Sequence, residues 1–121
     1  MELLTMTNKL LAACDEAAAR FYDMRERDID PNFFDEVKPY ADEIRTLLET
    51  WQQLAYEWIA INQPKYMHKQ QIDHARDAME QFVVQSFYKA TSKKRLIQSI
   101  ESTKYTLGTL KRYVEEGGTH V

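Results

Sequence analysis

Three consecutive cations, Lys93, Lys94 and Arg95, directly follow a Thr-Ser pair that is typical of the start of a helix. The N-terminus of a helix carries partial positive charge, so acidic side chains normally occupy its first turn. Cations at this place are suited to bind an anion such as phosphate or a nucleic-acid backbone, with the helix amides as further donors. Lys89 adds a fourth cation and Tyr88 a stacking ring. These residues form a candidate anion-binding site.

Other chemistries need residue patterns that this chain lacks. A carboxylate-bridged metal centre in a helical bundle uses Glu-x-x-His on two helices, and no glutamate here has a histidine three residues later. His68 and His74 would lie about 120° apart on one helix, and His68 fits better as a helix N-cap with Gln71 completing a capping box. Cys14 lies among alanines, where a free cysteine behaves as a small hydrophobe. We therefore predict no enzyme, no metal site and no cofactor.

Aromatic side chains outside the helical stripes give a second hint about function. Phe33 and Phe34 fall between two predicted helices, and Tyr88 lies at the end of another. If they are exposed, they favour a protein partner, because aromatic residues dominate the energetics of interfaces. The alternative, which we prefer at this point, is that Phe33 and Phe34 plug the end of the molecule.

Apolar spacing predicts the elements that carry these residues. Between Tyr40 and Ile61, apolar residues recur at steps of four and three, which indicates one amphipathic helix. Residues 96–114 repeat this pattern and residues 72–86 show a shorter version of it. The first segment has a broader, alanine-rich apolar face that lets a neighbouring helix approach closely.

Turn-forming residues separate the four periodic segments. They are DIDPN at 28–32, NQPKYMHKQ at 62–70, YKATS at 88–92 and Gly117-Gly118. Asn32 and Asp35 suit a short capped turn after the first segment, and Pro39 fits near the first position of the second helix.

Four helices of matched length joined by short links favour an all-α fold, a four-helix up-and-down antiparallel bundle. We predict one domain over residues 1–121. The expected helices span about 2–27, 39–61, 69–88 and 92–116, followed by a frayed tail at 117–121.

Charge is distributed unevenly along the chain. The net charge is −3, which argues against a dedicated nucleic-acid binder. Residues 1–63 carry −7 and residues 64–121 carry +4. An up-and-down bundle gathers the acidic first link and the basic start of the fourth helix at one end, and we prefer a charged seam between them to an anion site. The acidic side of this seam would be Glu26, Asp28, Asp30, Asp35 and Glu36.

Cysteine usage and hydropathy bear on the compartment. A single cysteine allows no disulfide within the chain, and the N-terminus lacks the basic start and continuous apolar run of a signal peptide. No stretch approaches the roughly 20 apolar residues that span a bilayer. We expect a cytoplasmic protein that does not enter the membrane.

The order of features from KPYADE (38–43) through QPKYMHKQQI (63–72) to QSFYKATSKKR (85–95) resembles the YppE-like family. These are small cytosolic proteins of Gram-positive, Bacillus-type bacteria, and the resemblance covers nearly the whole chain. It implies a four-helix up-and-down bundle. It implies no reaction and no catalytic or ligand-binding residues.

Two classes of function remain open. The first is a non-enzymatic protein-interaction or regulatory module whose partner is an unidentified protein or a second copy. The alternative is anion or nucleic-acid binding through Lys93, Lys94 and Arg95. A small-ligand pocket between the helices is a third class that the sequence does not separate from a filled core.

Overall fold

The apolar stripes form four long helices in the computed structural model, which describes residues 1–117. The helices are α1 (Glu2–Arg27), α2 (Lys38–Asn62), α3 (Lys69–Gln85) and α4 (Lys93–Glu115). Each packs against its two neighbours in the ring, α1 on α2 and α4, and α3 on α2 and α4. The fold is therefore all-α, a four-helix up-and-down bundle as the periodicity predicts. Apart from Gly117, the predicted tail lies outside the described residues.

Large side chains from every helix fill the core. Trp51, Phe21 and Phe82 are completely buried. The indole N–H of Trp51 donates to the hydroxyl of Thr7 at 3.1 Å, and that hydroxyl donates to the carbonyl of Leu3 at 2.8 Å. A buried indole needs such a partner, because an unpaired N–H away from water costs about 1–3 kcal/mol. This pair fixes α2 against the start of α1.

The buried face of α2 differs from the predicted stripe in one respect. Ile61 was placed on the core face by its spacing, and this prediction is wrong, because its side chain is 81 % exposed. The buried positions include Leu48 and Ala55, which widen the predicted stripe, beside Trp51 and Trp58. Ile61 lies in the last turn of α2, where the neighbouring helices no longer cover that face.

Caps and tight turns set the ends of the helices. The prediction that α3 continues to Tyr88 is wrong. The Ser86 hydroxyl donates to the Val83 carbonyl at 2.7 Å, and the amides of Phe87 and Tyr88 bond to carbonyls only three residues back. The α-helical hydrogen-bond pattern therefore ends at Gln85.

Three predicted capping features are confirmed. The Ser92 hydroxyl accepts from the amide of Arg95 at 3.4 Å at the start of α4. His68 is the N-cap of α3, and its amide donates to the Gln71 side chain at 2.7 Å. Pro39 lies in the first turn of α2, where its missing N–H costs nothing.

Candidate interaction surface at one end of the bundle

Two connections meet at one end of the bundle. The first connection is residues 28–37, between α1 and α2, and the second connection is residues 86–92, between α3 and α4. The Arg25 guanidinium donates to the carbonyls of Lys89 and Thr91, both at 3.1 Å. In return, the Lys89 ammonium donates to the Asp28 carboxylate at 2.8 Å and lies 4.0 Å from that of Asp30. Arg25 of α1 thus binds the second connection, and Lys89 of the second connection binds the first.

The ion pair between Lys89 and Asp28 shifts the protonation of both groups. A hydrogen bond from Lys89 lowers the pKa of the Asp28 carboxyl, and the same bond raises the pKa of the Lys89 ammonium. Asp28 is also the C-cap of α1 with a φ of 54°. Aspartate and asparagine tolerate this left-handed conformation better than other residues that carry a side chain.

An arginine clamp lies beneath the two connections. The Arg20 guanidinium lies against the rings of both Tyr40 and Phe87, 4.5 Å from the centroid of each, and the two rings pack edge to face at 6.0 Å. It also donates to the Ser86 hydroxyl at 2.9 Å. The Tyr40 hydroxyl donates to the Glu16 carboxylate at 3.2 Å, and burial is the main reason that the pKa of Tyr40 is raised. The clamp joins α1, the first turn of α2 and the residues after α3.

A hydrogen-bonded turn within the first connection carries the two phenylalanines. Residues Phe33–Val37 form a π-helical turn in which the amide of Lys38 bonds to the carbonyl of Phe33, five residues back. The Asn32 side chain accepts from the amide of Asp35 at 3.1 Å, and the amide of Asn32 donates to the Glu36 carboxylate at 2.6 Å. The predicted capped turn is confirmed.

The side chains of this turn do not plug the bundle. Phe33 is 45 % exposed and Phe34 is 76 % exposed, with their rings edge to face at 5.3 Å. The preferred prediction that both phenylalanines close the end of the bundle is therefore wrong. Val37 is fully buried in their place. Tyr88, the third predicted interface aromatic, is only partly exposed.

The basic start of α4 does not form the predicted seam. Within residues 1–117, no carboxylate lies within 4 Å of the charged groups of Lys93, Lys94 or Arg95. Asp28 and Asp30 of the first connection pair with Lys89 instead, because it lies on the second connection itself, directly against Asp28. The Lys93 ammonium lies 5.4 Å from the centroid of the Tyr22 ring. We call Lys93, Lys94 and Arg95 the basic corner.

A polar network between α2 and α3 was missed by the sequence analysis. The Tyr56 hydroxyl hydrogen-bonds the Asp73 carboxylate, and this bond is the main reason that the pKa of Tyr56 is raised. Gln52 also donates to Asp73 at 2.9 Å, and it accepts from Arg76 at 2.5 Å. Gln52 and Tyr56 are four residues apart, and Asp73 and Arg76 three, so each pair shares a helix face. The spacing of these polar residues was the feature of the sequence that could have indicated the network.

Cys14 and the potential metal ligands were the other candidates for chemistry in the sequence. Burial raises the pKa of the Cys14 thiol to about 12, which keeps it protonated at neutral pH. Among residues 1–117, no three His, Cys, Asp or Glu side chains are grouped so as to hold a metal ion. A cavity of about 210 Å³ opens at the other end of the bundle, beside Met1, Trp58 and Ile61.

Comparison with known proteins identifies relatives across almost the whole chain. Residues 7–114 match the family described as a bacterial domain of unknown function, DUF1798. The chain belongs to this family. It is 33 % identical over 109 residues to the uncharacterized protein YppE of Bacillus subtilis, covering 90 % of this chain and 89 % of that protein. The resemblance to the YppE-like family is confirmed.

Solved structures of DUF1798 proteins and their relatives have the same architecture. The crystal structure of Bacillus subtilis YppE superposes with a TM-score of 0.90 at 31 % identity, covering 98 % of this chain and 97 % of that one. A Listeria innocua protein of unknown function gives 0.91 at 26 % identity, covering 97 % and 94 %. A DUF1798 domain from Staphylococcus aureus gives 0.84 at 23 % identity, covering 98 % and 96 %, and so supports the fold alone.

The length and apolar character of the helices determine whether the chain can cross a bilayer. Through residue 117, this DUF1798 protein has no helix that combines the length and apolar character of a transmembrane segment.

The arginine clamp can be tested by unfolding this DUF1798 protein in urea. Arg20→Met keeps most of the aliphatic packing but removes the charge that contacts the two rings and the hydrogen bond to Ser86. We expect it to lower the free energy of unfolding by about 1–3 kcal/mol. Arg27→Met is the matched control, since its pair with Asp23 is more than half exposed on both sides and should change stability by less than about 1 kcal/mol. An equal decrease in the free energy of unfolding in the two variants would show that the contacts of Arg20 do not stabilise the fold as described.

The ion pair between Asp28 and Lys89 can be tested through its pH dependence. A lowered pKa in the folded state means that Asp28 stabilises the protein above its ordinary value of 3.8, and that this stabilisation is lost as the pH falls through the folded pKa. Asp28→Asn keeps the left-handed cap but loses the charge. We expect the difference in unfolding free energy between wild type and Asp28→Asn to be largest at neutral pH and to shrink below about pH 4.

The control for this measurement is Lys89→Met. In that background, Asp28→Asn should cause a smaller difference with little pH dependence. A difference that stays constant between pH 7 and pH 3 would show that the pair does not act as described.

Proposed function

We propose that this protein is a non-enzymatic protein-interaction module that binds its partner through Phe33 and Phe34. The observation that carries the proposal is the exposure of two adjacent aromatic rings on a hydrogen-bonded turn. Aromatic side chains supply large contact areas and are enriched among the residues that dominate binding energy.

The way the turn is built supports a binding role. Asn32 is bonded through both its amide and its side chain, and Val37 anchors the end of the turn in the core. A binding element that is already ordered loses less conformational entropy when it binds, which raises affinity for a given contact area. Ile29 and Tyr22, which are 40 % and 47 % exposed, extend the apolar surface at the same end.

The distribution of reactive groups supports a role without catalysis. The Cys14 thiol is buried in the core, and His68 serves as the N-cap of α3. We propose a cytoplasmic location. The chain has one cysteine and so cannot form an internal disulfide, which fits a reducing compartment.

Site-specific photo-crosslinking in bacterial cells tests this proposal. A photoreactive phenylalanine analogue at position 34 should give a discrete adduct. The same analogue at Tyr105, which is 74 % exposed on α4, should not give that adduct. Phe33→Ser should reduce the adduct at position 34 without changing thermal stability by more than a few degrees, since its ring is half exposed.

The proposal fails if position 34 gives no adduct, or if positions 34 and 105 give the same set of adducts. The first result would mean that the two rings are free in the cell. The second would mean that contact at the turn is no more specific than contact at any exposed aromatic residue.

A second candidate function is anion or nucleic-acid binding by the basic corner. The absence of a carboxylate within 4 Å of its three cations, among the described residues, favours it. We expect any binding of DNA, RNA or phosphorylated ligands at low salt to be lost when Lys93, Lys94 and Arg95 are all replaced by alanine, because released counterions drive such binding.

The matched control removes the same charge elsewhere. Lys9→Ala, Lys65→Ala and Arg112→Ala together alter three exposed cations away from the basic corner and should leave binding intact. If the wild-type protein binds none of these ligands at low salt, or if both triple variants lose binding equally, this second function is wrong.

A further inference from the structure

We propose that the partner at this end of the bundle is a second copy of the chain, docked so that the first connection of each copy contacts the basic corner of the other. This inference rests on the proposed function and names its partner. It joins two features at one end of the molecule, an acidic aromatic turn and a set of cations without carboxylate neighbours in the described chain.

The two surfaces are complementary in charge. Residues 28–36 contain four acids and no lysine or arginine, and the basic corner contains three cations. Of these four acids, only Asp28 and Asp30 have a cation within 4 Å among the described residues, and that cation is Lys89, outside the basic corner. Their side chains are still 81 % and 82 % exposed, so they remain available to a partner. Complementary charges of this kind select the partner and its orientation.

The topology allows both contacts to form at once. The first connection spans the α1–α2 edge of the bundle end, and the second connection leads into the basic corner on the opposite, α3–α4 edge. A two-fold axis parallel to these edges, across the end of the bundle, places each acidic edge on the basic edge of the other copy. The perpendicular two-fold axis would place acid on acid. Symmetric dimers of this type use the same patch on both subunits.

Exposed apolar side chains add apolar area to this contact. Phe33 and Phe34 belong to the acidic edge, and Ile29 and Tyr22 lie at the same end of the bundle. Docking would bury these side chains under a charged rim, which is the usual anatomy of an interface. Lysine and arginine of the basic corner can also lie over the phenylalanine faces, as Lys93 already lies over Tyr22.

A charge-swap experiment tests the pairing. The first variant carries Asp30→Lys with Asp35→Lys, and the second carries Lys93→Glu with Lys94→Glu. Wild type at low salt should sediment with about twice the monomer mass and dissociate as salt is added. In each swap variant alone the two surfaces are no longer complementary in charge, so each should be monomeric. An equimolar mixture should restore the doubled mass, because both contacts are then complementary.

Two controls separate the contact from general effects of charge. Glu57→Lys with Asp77→Lys reverses two exposed acids away from this end and should leave the wild-type dimer intact. Phe33→Ser with Phe34→Ser should weaken the dimer about tenfold or more, since interface aromatics are common hot spots.

The outcomes also distinguish this inference from the proposed function. A wild-type protein that stays monomeric at low salt, or swap variants that dimerise alone or fail to dimerise when mixed, would overturn the pairing. If position 34 nevertheless crosslinks to a different protein in cells, the interaction function stands and only the identity of the partner is wrong. An adduct between two copies through position 34 supports both.

Discussion

The Arg20 guanidinium, which contacts the rings of both Tyr40 and Phe87, is the interaction that joins the elements carrying the candidate site. It connects the last third of α1 with the first turn of α2 and with the residues that follow α3. A partly buried cation that contacts two aromatic rings and donates a hydrogen bond to Ser86 is shielded enough from water to stabilise the fold. The contacts of Arg20 therefore hold together the helix ends from which the two connections begin.

Above this clamp, the molecule uses cations to bind the connections to each other. Arg25 donates to two backbone carbonyls, so it binds the path of the second connection rather than any particular side chain on it. Lys89 returns the contact to Asp28. Among the described residues, Lys93, Lys94 and Arg95 have no carboxylate within 4 Å, and Lys93 lies over the Tyr22 ring.

The architecture was predictable because it follows from periodic burial. Steps of three and four residues identified all four helices, and local signals such as Pro39 and the Ser92 cap located their starts. Spacing alone does not predict burial at the end of a helix. Ile61 has the spacing of a core residue, but it is exposed because the neighbouring helices do not cover it.

The candidate site was less predictable, because its residues meet across connections. The charge distribution and the up-and-down topology indicated that an acidic link and a basic corner share one end. They did not indicate that Asp28 pairs with Lys89 rather than with Lys93, because that depends on the positions of the side chains. The exposure of Phe34 follows from a π-helical turn, whose one-residue change of register is set by the bonds of Asn32 and the burial of Val37. The α2–α3 network around Asp73 likewise depends on how two helices are aligned.

Amide hydrogen exchange of the first connection, followed by NMR, tests most directly whether the two phenylalanines are held on an ordered turn. The amides of Asp35, Glu36 and Val37 are all donated to Asn32, to its side chain or its carbonyl. We expect them to exchange many times more slowly than in an unstructured peptide, and Asn32→Ala to accelerate all three while the amides of the α2 core keep their protection. Exchange of these amides at unfolded-peptide rates in the wild-type protein would contradict a preorganised binding surface.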